Sequence, residues 1–232
     1  MIITIDGPSG TGKTTVAKRV AQRLNFVYFD TGAMYRAFTW MVLEHHVDLQ
    51  DESMLKALLD KFLFRIHEQK GEKRYFVGER DVTEVIRSQP VTSHVSAVSA
   101  LKMVRGSLLH WQHDFSQGCN VVFEGRDLGT VVFPQAEFKI FLDADPVVRA
   151  ERRLAEMMEK NPEIAKSFDQ QSMVKELNRR DTIDSTRETA PLRCPPDAYQ
   201  IDTSQLSIDQ VVEQIVLYVQ RQLQNSPTRK NR

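Results

Sequence analysis

Residues 7–14 read Gly7-Pro8-Ser9-Gly10-Thr11-Gly12-Lys13-Thr14, which matches the pattern G-x-x-x-x-G-K-[ST]. Just before it, Ile2-Ile3-Thr4-Ile5 is a short apolar run closed by Asp6 and Gly7, the signature of a buried strand. Just after it, Val16, Val20 and Leu24 stand four apart, as on one face of a helix. Strand, glycine loop and helix give the pattern its physical meaning. The N–H groups of such a turn point inward as an anion nest, and the helix N-terminus adds partial positive charge. Lys13 would reach the β- and γ-phosphates, and Thr14 would offer its hydroxyl to Mg²⁺. Gly7, Pro8, Ser9, Gly10, Thr11, Gly12, Lys13, Thr14 and Thr15 together imply a nucleoside triphosphate site.

Outward from this loop, strands alternate with helices. Phe26–Phe29 reads as a second strand, followed by helical sequence from about Ala33 to Glu44. Asn120–Gly125, Phe138–Ala144 and Tyr199–Ser204 read as three more strands. Asp145-Pro146 opens a helix, with Asp at the N-cap and Pro at the first helical position. Helical sequence is also expected at about 89–115, at about 169–187 and in the amphipathic stretch after Ser207. This predicts an α/β phosphate-loop NTPase fold: a five-stranded parallel sheet covered by helices. Between the helices, Phe62–Val77 alternates and turns at QKGEK like a hairpin, marking a small β insert. The expected organisation is one domain over 1–225, with the insert at about 60–90 and a disordered tail at 226–232.

The composition narrows the function. Lys plus Arg and Asp plus Glu are both 31, so the chain lacks the basic excess that a nucleic-acid polymer would call for. No apolar run approaches the ~18 residues that span a bilayer. No targeting segment is visible at Met1, so a cytoplasmic protein without a membrane partner is expected. Cys119 and Cys194 share no motif and read as reduced, buried thiols. His110 and His113 have too few companions for a zinc site, and Trp111 reads as core. A regulatory GTPase would carry N-K-x-D, which is absent.

Arginines carry the reading further. Arg149, Arg152 and Arg153 share a helix face at i, i+3 and i+4; Arg180, Asp184 and Arg187 share another at i, i+4 and i+7. The guanidinium fork suits phosphoryl groups. Solvated faces with local ion pairs are the plainer reading of both groups.

The segments FDTGAMYR (29–36), GERDVTEVIR (78–87), FEGRDLGTVVFP (123–134) and RDTIDSTRETAPL (180–192) resemble the signature segments of the bacterial cytidylate kinase family. The stretch VSAVSALKMVRGSLLHWQ does so too, and the resemblance runs from the phosphate loop to the final strand. It implies transfer of the γ-phosphoryl of ATP to CMP or dCMP, a nucleotide-binding insert at the hairpin, and a mobile lid. The polar, arginine-bearing segment from 149 to about 175 is the expected lid. By matched position, the resemblance implies that Thr31 (where serine is frequent), Tyr35 and Arg36 line the CMP site. Ser96, Arg105 and Asp127 would meet the cytosine, Arg126 and Arg187 the substrate phosphate, and Arg180 and Asp184 the ribose. Glu124, at a strand end, and Asp30 are candidates for the Mg²⁺ shell through water; for Asp30 the plainer role is a helix N-cap.

The chemistry is consistent with this. A phosphomonoester with a second pKa of roughly 6 is already ionised at neutral pH, so its oxygen attacks without a general base. Catalysis then needs cancelled charge and in-line geometry, for which Lys13, Arg126, Arg152, Arg153 and Arg187 are the candidates. The alternatives are a kinase for another nucleoside monophosphate such as UMP, and a phosphate-loop protein that binds without catalysis. A monomer is expected.

Overall fold

The computed structural model describes residues 1–69, 72–160 and 162–225. The expected tail at 226–232 and the centre of the QKGEK turn lie outside the described residues. In chain order the elements are β1 (Ile2–Asp6), α1 (Lys13–Leu24), β2 (Val27–Asp30), α2 (Thr31–Glu44) and α3 (Glu52–Lys61). Then come β3 (Phe64–Gln69), β4 (Glu72–Val77), β5 (Arg80–Asp81), α4 (Gln89–Ala100) and α5 (Lys102–Ser116). They are followed by β6 (Val121–Gly125), β7 (Phe138–Asp143), α6 (Pro146–Lys160), α7 (Pro162–Ala165), α8 (Gln170–Thr186), β8 (Tyr199–Asp202) and α9 (Ile208–Asn225). The chain divides into two compact units: Met1–Phe29, Gly118–Thr186 and the chain from Ala190 form the first, and Asp30–Gln117 with Arg187–Thr189 the second.

The first unit is built on the five-stranded parallel sheet, in the order β2-β6-β1-β7-β8. Its side chains alternate between the two faces with the strand period of two. Ile3 and Ile5 of β1 join Val122, Ile140 and Leu142 against Val16, Val20 and the α9 residues Val212, Ile215 and Val219, all buried. The alternate residues Thr4 and Asp6 face the π-helical turn at Leu128–Val132, where a Cβ on Gly129 would lie 3.1 Å from Thr4 Oγ1. The same alternation sends Glu124 toward the α1 side, because it shares parity with Val122. Asp145 caps α6 as expected, accepting from Val147 N at 2.8 Å. Helices α6 and α8 bury a small cluster of their own, Ala150, Met173 and Leu177.

The second unit carries the expected hairpin, β3 against β4 antiparallel with Phe64 opposite Val77, and β5 adds a short third strand. Phe38, Phe62, Phe64 and Tyr75 form a chain of ring contacts through its centre. Helix α3 is not anticipated by the sequence reading, although Asp51 caps it by accepting from Met54 N. The helical stretch expected at 89–115 is broken at Leu101, which is extended. Trp111 is not core: it sits at the margin of the buried face of α5 and is 38% exposed. Cys119 and Cys194 are not joined in a disulfide and are only half-buried. Among the described residues, no helix is long and apolar enough to cross a membrane.

Candidate active site

The β1–α1 loop takes its shape from close backbone approach. A Cβ on Gly7 would lie 2.0 Å from the Leu142 carbonyl oxygen, and Gly10 has φ +83. Only a residue without a side chain fits the first position, and only one tolerant of positive φ suits the second. Within this loop Lys13 is 6% exposed, and its ammonium donates to Pro8 O at 2.5 Å and to Thr11 Oγ1 at 3.4 Å. Burial, and after it the charge of Arg126, hold the Lys13 pKa well below the usual value, against the attraction of Glu124, Asp181 and Asp6. A cation so placed is poised to gain free energy from an incoming polyanion.

Thr14 stands in the first turn of α1, and its hydroxyl donates to Glu124 Oε1 at 2.8 Å. A hydroxyl beside a carboxylate is a set of hard oxygen donors, which suits Mg²⁺ shared with substrate phosphates and waters. Among the described residues, no three His, Cys, Asp or Glu gather as a metal site. Asp30 does cap α2, accepting from Ala33 N at 2.8 Å, while its other oxygen accepts from Arg87 at 2.6 Å. Burial pushes the Asp30 pKa up, but Arg87 and the Ala33 N–H outweigh it and hold the pKa below the ordinary carboxylate value.

After β6, Arg126 donates from Nε to Asp184 Oδ2 at 3.0 Å and from Nη1 to Gly125 O. Burial opposes its charge, but Asp184, Asp181 and Glu124 prevail and raise its pKa. Arg180 is buried beside this pair, and its Nε has no hydrogen-bond partner among the described residues. Burial, then the charge of Arg126, draws its pKa down to about 10. Arg126 thus lies close enough to Lys13 and to Arg180 to repel each of them, with Glu124, Asp181 and Asp184 as the nearby acids. Asp127 is buried, and its carbonyl accepts from Val131 N at 2.9 Å in the π-helical turn.

Two expected helix faces look different in the structure. Arg149 reaches Ser9 and Asp181, Arg152 donates to Thr203 O at 2.6 Å, and Arg153 pairs with Glu156 at 2.7 Å, so the three divide among separate partners. Helix α8 ends at Thr186, where Leu192 N returns to Asp184 O at 2.8 Å. Arg187 therefore follows the helix instead of extending the face of Arg180 and Asp184, and it falls in the second unit, buried.

The second unit brings several predicted residues together. Arg105 lies over the Tyr35 ring with its guanidinium carbon 5.3 Å from the centroid. Its Nη1 donates to Ser99 O at 3.2 Å, and the Ser99 hydroxyl donates to Ser96 O at 3.1 Å. Arg36 donates to Ile86 O and to Thr92 Oγ1 at 2.8 Å, while Thr31, at the start of α2, is buried.

Three carboxylate or guanidinium groups escape the sequence reading. Asp6 accepts from Leu128 N at 3.1 Å and Gly129 N at 2.8 Å, and burial raises its pKa to about 7 in spite of these bonds. Its sequence signal is a charged residue ending an apolar strand. Asp181 and Arg87 give no such signal, since each is one charge among many on a polar segment.

The family model described as cytidylate kinase matches residues 3–221. A cytidylate kinase of Protochlamydia amoebophila (strain UWE25) is 50% identical over 218 residues, 94% of this chain and 96% of that protein. One from Halalkalibacterium halodurans is 45% identical over 223 residues, 96% and 99% of the two chains. A solved structure of an uncharacterized protein from Eubacterium ventriosum ATCC 27560 has a TM-score of 0.50 at 13% identity, covering 95% of this chain and 98% of that one, a likeness of fold alone. A phosphate loop with its buried lysine, the arginine–carboxylate cluster beside it and near full-length identity of this order lead to one assignment: the chain belongs to the cytidylate kinase family.

Proposed function

We propose that the protein transfers the γ-phosphoryl group of ATP to CMP or dCMP, giving ADP and CDP or dCDP. The observation that carries this is the buried Lys13 ammonium, set among Arg126, Glu124 and Asp181 in a loop of N–H donors, in a chain of this family. A phosphate oxygen of the acceptor attacks the γ-phosphorus, the bond to the β,γ-bridging oxygen breaks, and the electron pair leaves on ADP. The attacking oxygen is already anionic, so no side chain needs to remove a proton. The protein's task is to bring two anions together in line and cancel their charge.

Residues 7–15 would bind ATP, with Lys13 on its β- and γ-phosphates. Thr14, and Glu124 directly or through water, would hold Mg²⁺, which when bound offsets charge on the β- and γ-oxygens. Arg126 and Arg187 would take the acceptor phosphate, and Arg180 and Asp184 its ribose. Tyr35, Ser96, Arg105 and Asp127 would recognise the pyrimidine, alongside Thr31 and Arg36. We further propose that residues 149–175 close as a lid that excludes water. Arg153, and Arg152 after exchanging Thr203, would then meet the transferring phosphoryl group. A cytoplasmic monomer is the simplest setting for this activity.

ADP release measured with CMP, dCMP, UMP, AMP and GMP tests the reading. CMP and dCMP should exceed the others by at least tenfold in kcat/KM. A preference for UMP would point to the other acceptor, and no turnover with any of them would leave only nucleotide binding.

A further inference from the structure

Ser9 lies in the middle of the phosphate loop, yet both of its peptide groups are held from outside the loop. Its N–H donates to Asp181 Oδ1 at 3.1 Å, and its carbonyl accepts from Arg149 Nη1 at 3.0 Å. The same Nη1 donates to Asp181 Oδ2, which closes a ring of three residues. Arg149 Nε is fixed on Ala144 O at 3.1 Å. The two side chains are 6% and 17% exposed, so water competes little for these bonds. Helix α6 sits directly against the loop: a Cβ on Gly10 would lie 3.0 Å from both Cβ and O of Arg149. Every bond to Ser9 in this ring involves a charged partner and is therefore of the stronger class.

We propose that Asp181 is a positioning residue for the phosphoryl donor. With Arg149 it fixes the peptide planes on either side of Ser9, so that the N–H groups of the turn that follows already face inward when ATP arrives. Asp181 touches no reacting atom in this role. It acts on the shape of the nest, directly at Ser9 N and through Arg149 at Ser9 O. A nest ordered in advance loses less entropy on binding, so the effect falls on the affinity for ATP. A simple tie between α6 and α8 would instead lower stability without favouring one substrate over the other. The inference rests on reading residues 7–15 as the ATP site.

The decisive variant is Asp181→Asn in the full chain. It keeps the shape of the side chain but turns an amide N–H₂ toward one of two donors, Ser9 N–H or Arg149. The KM values for ATP and CMP, and the Kd of a fluorescent ATP analogue with Mg²⁺, should be compared with those of the parent, Lys13→Ala, Arg149→Ala and the Asp181→Asn/Arg149→Ala double variant. The Kd and KM for the donor should rise about tenfold, equivalent to about 1.4 kcal/mol. The KM for CMP at saturating ATP should stay within twofold. The double variant should be no worse than the worse single one, because a ring opened once is open. A donor KM within twofold of the parent, an equal rise for both substrates, or additive losses would each overturn the proposal. Lys13→Ala separates the two levels. If it weakens donor binding while Asp181→Asn does not, the clasp alone is wrong; if neither does, the loop is not the ATP site.

Discussion

Replacing Lys13 by methionine should abolish most turnover and yet stabilise the ligand-free chain. The lysine ammonium is buried in the loop, where burial and the charge of Arg126 hold its pKa well below the ordinary value. Methionine has similar length and no charge, so it removes the desolvation cost and the repulsion of Arg126, and with them the smaller attraction of Glu124, Asp181 and Asp6. Against this, Pro8 O loses its 2.5 Å hydrogen bond, a cost of about 1–2 kcal/mol. Replacing whole buried ion pairs by apolar groups of similar volume has gained about 1–4 kcal/mol elsewhere; here a single charge is replaced, in surroundings whose net effect already disfavours it. A net gain of about 1–2 kcal/mol would raise Tm by about 2–8 °C in a chain of this size. The pH dependence gives a second check. A lysine pKa lowered by folding means that the unfolded chain binds more protons, so the parent gains stability as pH rises from the folded pKa toward the unfolded value of 10.5. The advantage of methionine is therefore larger at pH 7 than at pH 9.5 and shrinks further toward the unfolded value. Scanning calorimetry at pH 7 and pH 9.5, with turnover measured in parallel, reads all of this. A lower Tm than the parent at pH 7, or an advantage that grows with pH, would refute the reasoning.

Asp6 gives a dependence of opposite sign. Its pKa is raised to about 7 from 3.8, chiefly by burial, so its contribution to stability is fully present below about pH 4 and is lost as pH rises through 7. Between pH 5 and pH 8, urea unfolding of the parent should lose about 2 kcal/mol more than that of Asp6→Asn, and equal losses would show that Asp6 does not titrate there. Asp127→Asn tests acceptor choice. Cytosine offers an N4 donor where uracil offers an O4 acceptor, so the variant should narrow the CMP-to-UMP ratio of kcat/KM by about tenfold. An unchanged ratio, with both substrates impaired alike, would mean that Asp127 only helps to orient Arg126.

What the sequence revealed and what it hid follow from the range of each signal. The phosphate loop was legible because strand, glycines, lysine and helix stand within some twenty consecutive residues. The parallel sheet was legible because its strands are short apolar runs, with Asp145-Pro146 marking a helix start. Helix α3 was missed because it buries only Leu55 and Leu58, too few positions for a visible period. The face shared by Arg180, Asp184 and Arg187 was extrapolated past Thr186, where the chain turns to return Leu192 N to Asp184 O. Asp181 was hidden for a more basic reason. Its partners are Ser9 and Arg149, 172 and 32 residues away, and nothing local distinguishes it from its charged neighbours on α8.

The glycines of the loop answer to the sheet and to α6 before they answer to any nucleotide. Gly7 is confined by the Leu142 carbonyl and Gly10 by the backbone of Arg149, whereas Lys13 and Thr14 put charge and a hydroxyl where a polyanion would lie. A library selected only for cellular abundance should therefore retain glycine at 7 and 10 while letting 13 and 14 drift, and selection for growth would hold all four. One eight-residue motif would then separate into a half kept by folding and a half kept by catalysis.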